Sequence, residues 1–366
     1  MGNKPLQELS KLGQSVWIDS LSRASIRGGH LKSLIDEDSV VGATSNPTIF
    51  QKAMAEGDAY DEQIRELADR DASDVFWALA VRDIKDACDM FRGVFDATSA
   101  RDGYVSLEVD PTLAYETLQT FREAIDLHEK VDRPNLFVKI PATKPGLAAI
   151  EDVIASGHSI NVTLIFSLRR YAEVAESYIR GVERLIAAGG DPRKVASVAS
   201  FFVSRIDTEA DRRLDEIGGH DELKGKLAVA NARLAYAHYK TAFAGPRWEF
   251  LAGKGATPQR VLWASTSTKN PSYPDTLYVD ELIGADTVNT MPGETIDAYQ
   301  DHGDPKPRIE EDLQEAHVLF ERLAAAGVSY EEVTDTCERE GVAKFSASFA
   351  ELLEGLRGKQ TSLASA

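Results

Sequence analysis

The chain has 366 residues, of which 43% are hydrophobic and 27% are charged, a composition typical of globular proteins. Its formal net charge of −18, with no basic block, disfavours nucleic acid and anionic membrane surfaces as partners. Cys88 and Cys337 form no CxxC pair, the first residues do not resemble a signal peptide, and no apolar run reaches the roughly 18 residues of a membrane span. The sequence therefore predicts a cytoplasmic protein.

Short β-rich segments recur along the chain, and each is followed by a helical stretch. The eight segments are 15–20, 40–46, 104–110, 135–141, 159–166, 195–203, 260–266 and 286–292. Repeated strand-then-helix units are typical of a parallel sheet with helical crossovers, and eight units close a (β/α)8 TIM barrel. A doubly wound sheet is the alternative, but no GxGxxG follows the first segment. We predict an α/β fold with a single TIM barrel.

The chain holds more helical sequence than eight crossovers need. Residues 47–103 and 204–259 contain helical insertions, and residues 293–366 form a helical C-terminal extension. No fixed period of a solenoid is present. We predict one barrel domain over residues 1–366, with these extra helices added to it.

Lys139 is the only charged residue in the apolar segment 136–141, where a buried ammonium is costly. Residues two apart on a strand share a face, and in barrel enzymes the active site lies at the C-terminal mouth. Other polar residues near predicted strand ends are Asp19, Thr44, Asn46, Ser106, Glu108, Asp110, Asn161, Thr163, Ser200, Ser265 and Ser267. This pattern predicts a shared pocket into which Lys139 points.

A lysine in such a pocket indicates Schiff-base chemistry. Burial disfavours the ammonium, and the neutral amine attacks a ketone or aldehyde. The iminium that forms is an electron sink, so a neighbouring C–C bond can be made or broken without a metal. Asp19 is suited to be the base whose removal of a hydroxyl proton opens this bond. Glu108 and Thr163 are suited to hold the water involved in dehydration of the carbinolamine.

The remaining polar residues suit a phosphorylated sugar. Asn46, Asn161 and Ser200 would bond to its hydroxyls, and Arg205, just past the sixth strand, would bind a phosphate. Each assignment has a structural alternative, since Lys139 can snorkel and Asp19 can cap the next helix. The convergence of these residues at the strand ends favours the chemical interpretation.

Metal and phosphate-loop motifs are missing from the sequence. None of the seven histidines lies at a predicted strand end, and neither HxxxH nor HExxH occurs. Neither a GxSxG elbow nor a GxxxxGK[ST] loop is present. We expect an enzyme that uses neither a metal nor a cofactor.

Six motifs resemble the transaldolase family in the right order, over nearly the whole chain, and most closely its longer bacterial branch. They are "WIDSLSR" (17–23), "GATSNPTIF" (42–50), "SLEVDP" (106–111), "FVKIPAT" (137–143), "INVTLIFS" (160–167) and "SFFVSRID" (200–207). The resemblance implies a barrel enzyme of the pentose phosphate pathway. Such an enzyme moves a dihydroxyacetone unit between sedoheptulose 7-phosphate or fructose 6-phosphate and the aldehydes glyceraldehyde 3-phosphate or erythrose 4-phosphate.

The resemblance also implies roles for individual residues. Lys139 would form the Schiff base, Asp19 would act as acid/base for C–C cleavage, and Glu108 and Thr163 would position the catalytic water. The implied substrate contacts are Asn46, Asn161, Ser200, Phe202, Arg205, Ser265, Ser267 and Lys269. Shorter family members carry an arginine after the serine of the seventh strand, whereas this chain has Lys269 there, a point charge without the arginine fork.

Two other functions stay open. Fructose 6-phosphate aldolases release free dihydroxyacetone, but they are shorter and usually carry Gln at the position of Glu108 and Tyr at that of Phe202. A non-catalytic sugar-phosphate binder on the same barrel is the second alternative, because fold does not imply function. In all three cases sugar phosphates are the expected partners, and we expect a monomer or a homodimer.

Overall fold

The computed structural model describes residues 4–365, and within them eight parallel strands form a closed barrel in chain order. The strands are β1 (Gln14–Ile18), β2 (Val40–Ala43), β3 (Val105–Glu108), β4 (Leu136–Pro141), β5 (Ile160–Ile165), β6 (Ser197–Phe202), β7 (Arg260–Ala264) and β8 (Thr287–Met291). Each strand lies inside one of the predicted segments, except that β1 begins one residue before its segment. The predicted barrel is confirmed, and the doubly wound alternative is wrong because β8 pairs with β1.

Helices surround this barrel. The α-helices of the described residues are α1 (Pro5–Lys11), α2 (Arg23–Arg27), α3 (His30–Glu37), α4 (Pro47–Ala55), α5 (Asp61–Glu66), α6 (Ala72–Ala97), α7 (Thr117–Val131), α8 (Lys144–Ala155), α9 (Leu168–Ala187), α10 (Ser204–Ile217), α11 (Leu227–Ala242), α12 (Gly245–Ala252), α13 (Leu277–Glu281), α14 (Gly293–His302), α15 (Leu313–Ala325) and α16 (Tyr330–Ala364). Short 3₁₀ helices lie at Pro111–Leu113, Pro192–Lys194 and Asp221–Leu223. No helix within residues 4–365 is long and apolar enough to cross a membrane.

Extra helices lie in two long connections and after the last strand. Helices α4, α5 and α6 lie between β2 and β3, and α10, α11 and α12 lie between β6 and β7. After β8, α14 packs against α1 and serves as the eighth barrel helix, so only α15 and α16 are additional. The predicted domain of residues 1–366 begins and ends outside the described residues.

The last helix, α16, crosses the C-terminal end of the barrel. Arg213 of α10 pairs with Glu332 of α16 at 2.6 Å. Further along, the Thr48 hydroxyl of α4 donates to the Ser348 hydroxyl of α16 at 2.8 Å. Since α10 follows β6 and α4 follows β2, these contacts place α16 across the mouth of the barrel.

Aromatic side chains fill the barrel beneath its mouth. The ring of Phe137 stacks on that of Tyr104 with 3.9 Å between centroids, and the ring of Trp17 lies 6.1 Å from Phe137. Gly42 makes room for this layer, since a Cβ at that position would lie 2.5 Å from the Trp17 ring. Packing of this kind leaves a filled core rather than a pore.

Helices with a side-chain cap start within four residues of the ends of β2, β4 and β5 and keep these three connections short. Asn46 caps α4, since its Oδ1 accepts a hydrogen bond of 2.9 Å from the Ile49 N–H, and Pro47 follows at the first helical position. Proline suits this position because no intrahelical partner is lost. The turn from β2 into α4 therefore holds Asn46 at the mouth.

Candidate active site

A cavity of about 120 Å³ opens at the C-terminal mouth of the barrel. Its walls are formed by Asp19, Thr44, Asn46, Lys139, Thr163, Ser200, Phe202, Arg205, Ala264, Ser265, Ser267, Lys269, Thr290, Pro292 and Phe345. Ten of the twelve predicted site residues are among them, and the two others are Glu108 and Asn161. The strand-end pattern thus brings most of these side chains to one place.

A larger cavity, of about 300 Å³, lies on the flank of the barrel between α11, α13 and α15. Its buried Arg233 already pairs with Glu281 at 2.7 Å. Since its walls carry no lysine amine buried against a carboxylate, we place the chemistry at the smaller cavity.

Lys139 lies on the floor of the mouth cavity and is only 4% exposed. Its Nζ donates a hydrogen bond of 3.1 Å to the carbonyl of Ser45 and lies 3.4 Å from Oε2 of Glu108. Strand β4 runs between β3 and β5, with Lys139 paired to Glu108 on one side and to Asn161 on the other. The alternatives of a snorkelling lysine or a sheet-edge lysine are therefore wrong.

Glu108 is buried beside Lys139, just behind the cavity wall. Burial raises the pKa of its carboxyl above the ordinary value of 4.5, and the Lys139 charge opposes this rise. Within residues 4–365, neither Glu108 oxygen nor the Thr163 hydroxyl has a hydrogen-bond partner. Buried polar groups without partners are costly, so these atoms suit a water or a substrate hydroxyl held between them.

Asp19 faces Lys139 from the first strand. Its Oδ1 accepts a hydrogen bond of 2.6 Å from the Thr44 hydroxyl. Burial raises the pKa of the Asp19 carboxyl above 3.8, while Lys139 and then Thr44 act to lower it. The alternative that Asp19 caps the next helix is wrong, because Ser22 caps α2.

A bulge interrupts β5 immediately after Thr163. The pairing with β6 shifts register between Val162 and Ile165, and Leu164 adopts a φ of +58°. Positive φ at a bulky residue costs free energy of the order of 1 kcal/mol or more and often marks functional sites. Bulges re-aim the neighbouring side chains, and here Thr163 lies on the cavity wall.

Asn161 lies below the cavity, not in its wall. Its Oδ1 accepts a hydrogen bond of 2.7 Å from the Ser200 hydroxyl, and its Nδ2 donates one of 3.1 Å to Ser106. Asn161 is fully buried and pairs in register with Lys139, so its contact with a substrate stays a prediction. Its amide also orients Ser200, whose hydroxyl lines the cavity.

Arg205 and Lys269 make one side of the cavity positive. The Arg205 guanidinium lies between the rings of Phe202 and Phe345, at 5.1 and 5.7 Å from their centroids. It has neither a carboxylate nor a hydrogen-bond acceptor within the described chain. Lys269 donates a hydrogen bond of 2.6 Å to Ser267 and likewise has no carboxylate partner there. Arginine stays charged even when buried, so this corner suits an anion.

Five residues of the cavity wall were not among the predicted site residues: Thr44, Ala264, Thr290, Pro292 and Phe345. Thr44 and Thr290 lie at the ends of β2 and β8, their hydroxyls 2.7 Å apart, and the strand-end pattern gave Thr44 no role and left Thr290 out. Applying the same rule to β8 would have found Thr290. Phe345 comes from α16, and no local feature of its sequence indicates a place at the mouth.

Fold and cavity together define a class of protein. A buried amine, two carboxyl groups and an unpaired arginine at the mouth of a parallel barrel can form an imine with a phosphorylated carbonyl compound. Within residues 4–365, no group of three His, Cys, Asp or Glu side chains is arranged to hold a metal ion. The class is that of the Schiff-base barrel enzymes.

The chain belongs to the transaldolase/fructose-6-phosphate aldolase family, whose model matches residues 16–356. It is 54% identical to the transaldolase of Frankia alni over 356 residues, which are 96% of each chain. It is also 54% identical to the transaldolase of Acidothermus cellulolyticus over 352 residues, 95% of each chain. With the transaldolase of Mycobacterium tuberculosis it shares 51% identity over 361 residues, 97% of each chain.

Proposed function

We propose that this chain is a transaldolase acting through an imine on Lys139. It transfers a dihydroxyacetone unit between sedoheptulose 7-phosphate or fructose 6-phosphate and glyceraldehyde 3-phosphate or erythrose 4-phosphate. The observation that carries this proposal is the position of the Lys139 amine, on the cavity floor and 3.4 Å from Glu108. The full-length likeness to curated transaldolases supports the same reaction.

The first half-reaction cleaves the donor. The amine of Lys139 attacks the ketone carbon of fructose 6-phosphate, and the carbinolamine loses water to become an iminium. Asp19 then takes the proton of the C4 hydroxyl, and the C3–C4 bond breaks. The bonding electrons move to the iminium nitrogen, which leaves an enamine on Lys139 and releases glyceraldehyde 3-phosphate.

The second half-reaction reverses this chemistry on a new acceptor. The enamine carbon attacks the carbonyl carbon of erythrose 4-phosphate, and Asp19 returns its proton to the oxygen that becomes the new hydroxyl. Water held by Glu108 and Thr163 then hydrolyses the iminium and frees the amine of Lys139. Arg205 holds the phosphate through both halves, which keeps each aldehyde aligned with the three-carbon unit.

The two remaining alternatives differ from a transaldolase in the fate of the three-carbon unit. We would incubate the protein with fructose 6-phosphate alone, reduce it with borohydride, map the adduct by mass spectrometry and assay free dihydroxyacetone. A transaldolase gives a three-carbon adduct without phosphate on Lys139 and releases little dihydroxyacetone. Steady release with the same adduct would identify an aldolase, and no adduct would identify a binder.

Two variants control this experiment. Lys139→Ala should give no adduct and less than about a tenth of the parental turnover, because no other amine lies on the cavity floor. Lys144→Ala, which removes a lysine exposed on α8, should label and turn over like the parent. Turnover by Lys139→Ala above this level would refute the imine assignment.

Location, partners and assembly are further proposals. We propose a cytoplasmic enzyme whose partners are sugar phosphates and not nucleic acid, supported by the net charge of −18 and by two free, buried cysteines. We also propose one domain over residues 1–366, present as a monomer or a homodimer. Sedimentation velocity would decide the assembly, and a single calorimetric unfolding transition would support the single domain.

A further inference from the structure

The positive corner of the cavity is built partly by α16, which lies outside the barrel. Phe345 closes over the Arg205 guanidinium at 5.7 Å, opposite Phe202 at 5.1 Å. One turn earlier on the helix, a Cβ at Gly341 would lie 3.3 Å from Nη1 of Arg205. Glycine at this position leaves room for the guanidinium. Helix α16 therefore adjoins Arg205 at two positions, Gly341 and Phe345.

Lys344 lies between these two residues along α16; it is exposed and outside the cavity wall, and its charge acts on Arg205. Within the described residues its ammonium has neither a carboxylate within 4.0 Å nor a hydrogen-bond partner. The nearest charges that act on it are cationic, since Arg205 lowers the pKa of Lys344 most, followed by burial, Lys269 and Lys52. Like charges brought together in this way are unfavourable unless an anion lies among them.

The same corner offers little negative charge to balance these cations. Glu294 acts on Lys269, Glu108 acts on Arg205, and Asp19 acts on both cations. Within the described residues none of these carboxylates forms an ion pair with Lys269 or Arg205, although the chain carries 59 acidic residues against 41 basic ones. A phosphate monoester, with a charge of about −1.5 to −2 at pH 7, would supply what the protein does not.

We propose that α16 completes the phosphate site, with Lys344 as a second cationic contact and Phe345 as a positioning residue for Arg205. The inference rests on the proposed function and deepens it. The segment that follows β7 lacks the arginine that shorter relatives carry there, and Lys269 takes its place. A cation from a different element, 75 positions further along the chain than Lys269, would compensate for that loss.

The test separates phosphate recognition from imine chemistry. Dihydroxyacetone carries no phosphate, so its borohydride trapping on Lys139 reports the imine alone. Inorganic phosphate, added as a competitor of fructose 6-phosphate and titrated by calorimetry, reports the anion site. For Lys344→Gln we expect KM for fructose 6-phosphate and the Kd of phosphate to rise by about fivefold to tenfold, with trapping of dihydroxyacetone unchanged. Lys344→Arg should retain both values within about twofold.

Matched variants guard against a general loss of structure. Lys144→Gln removes an exposed lysine of α8 that does not line the cavity, and it should change neither value. Phe345→Ala should weaken phosphate binding, whereas Leu352→Ala, which shortens another buried side chain of the same helix, should lower stability without this effect. If Phe345→Ala does not fold, Gly341→Ala crowds Arg205 while favouring the helix, and it should still weaken phosphate binding.

Two outcomes would overturn the inference. Unchanged phosphate Kd and KM in Lys344→Gln would make Lys344 an ordinary solvated lysine, and equal effects of Phe345→Ala and Leu352→Ala would make α16 merely a structural support. Failure of the proposed function looks different. In that case the parent is not labelled by dihydroxyacetone, while the calorimetric comparison of parent and Lys344→Gln still decides the anion site.

Discussion

The hydroxyl of Thr44 donates a hydrogen bond of 2.6 Å to Oδ1 of Asp19, and its oxygen lies 2.7 Å from that of Thr290. A hydroxyl has one proton, so when Thr44 donates to Asp19, Thr290 donates to Thr44. These two hydrogen bonds link Thr290 in β8 to Thr44, directly after β2, and Thr44 to the carboxylate of Asp19, directly after β1. They favour the ionised form of Asp19, the form that takes a proton from the substrate.

Thr44→Val should shift the pH dependence of the reaction. Loss of the hydrogen bond raises the pKa of Asp19, because burial is the largest cause acting on it and opposes ionisation. The acidic limb of the kcat/KM profile, which reports the free base, moves to higher pH. On that limb we expect kcat/KM to fall about tenfold, which corresponds to ~1.4 kcal/mol. This is near the low end of the free energy contributed by a hydrogen bond to a charged group. Thr44→Ser keeps the hydroxyl and should keep the limb in place; an unmoved limb in Thr44→Val would contradict the role of this bond.

Asp19→Asn should make the protein more stable while it abolishes C–C cleavage. The folded-state pKa of Asp19 is raised above its ordinary value of 3.8. The stability that the protonated carboxyl contributes is therefore complete below pH 3.8 and is lost as the pH rises through the folded-state pKa. Asparagine does not ionise, so the gain in Tm over the parent should grow as the pH rises towards neutral. Thermal scans from pH 4 to 8 measure it, and a gain that shrinks as pH rises would refute the argument.

The barrel and most of its mouth could be predicted because parallel strands leave a simple pattern. Strands that are covered on both faces have nearly continuous apolar sequences. A charged residue such as Lys139 is therefore conspicuous within such a segment. Alternation along β4 then assigns Lys139 and Phe137 to the same face, and the structure has both inside the barrel. The polar residues lie at the ends of the apolar strand segments because the active site of a barrel enzyme lies at the C-terminal ends of its strands.

The alternation of residues along the strands could not predict how deep a residue lies along the barrel axis. Nor could it predict which distant elements contact the site. Alternation places Asn161 and Thr163 on one face but does not say that Asn161 lies a layer deeper, bonded to Ser200. Phe345 reaches the cavity only because α16 crosses the mouth, which depends on tertiary packing against α4 and α10. The positive φ of Leu164 likewise follows from the shifted pairing of β5 and β6 rather than from a turn residue.

Arg23→Met should destabilise the fold without changing the chemistry. The Arg23 Nε lies 2.7 Å from Oδ1 of Asp83, and the Tyr60 hydroxyl donates a hydrogen bond of 2.8 Å to Oδ2. Both charged side chains are buried, so removal of the cation leaves a carboxylate that Tyr60 alone must satisfy. We expect a loss of about 3–5 kcal/mol in the free energy of unfolding, measured with urea. Arg23→Met combined with Asp83→Leu should recover much of it, and an equally unstable double variant would contradict this account.

Glu108→Gln should slow the steps that need water. Glutamine keeps the size of the side chain but neither takes nor gives the proton exchanged with the carbinolamine. We expect kcat to fall by about 10²–10³-fold with little change in KM, the range of general acid–base catalysis. Single-turnover trapping with fructose 6-phosphate measures how fast the imine forms. Glu123→Gln is the control. Burial raises the pKa of this carboxyl too, in its case to about 7, but Glu123 accepts a hydrogen bond from the Asp110 N–H, 2.7 Å away, and does not line the cavity.

Arg205→Ala should act on phosphate binding rather than on the imine. The guanidinium is held between two rings and has no carboxylate partner within residues 4–365, so its donors are free for the substrate. Charged hydrogen bonds are worth about 1.5–3 kcal/mol, which predicts a rise in KM for fructose 6-phosphate of about 10- to 100-fold. Arg205→Lys keeps the charge without the fork and should lose less. Arg212→Ala, on the same helix but exposed and paired with Glu209 at 2.8 Å, should leave KM unchanged. If Arg205→Ala also left KM unchanged while trapping of dihydroxyacetone stayed normal, the phosphate would have to bind elsewhere on the mouth.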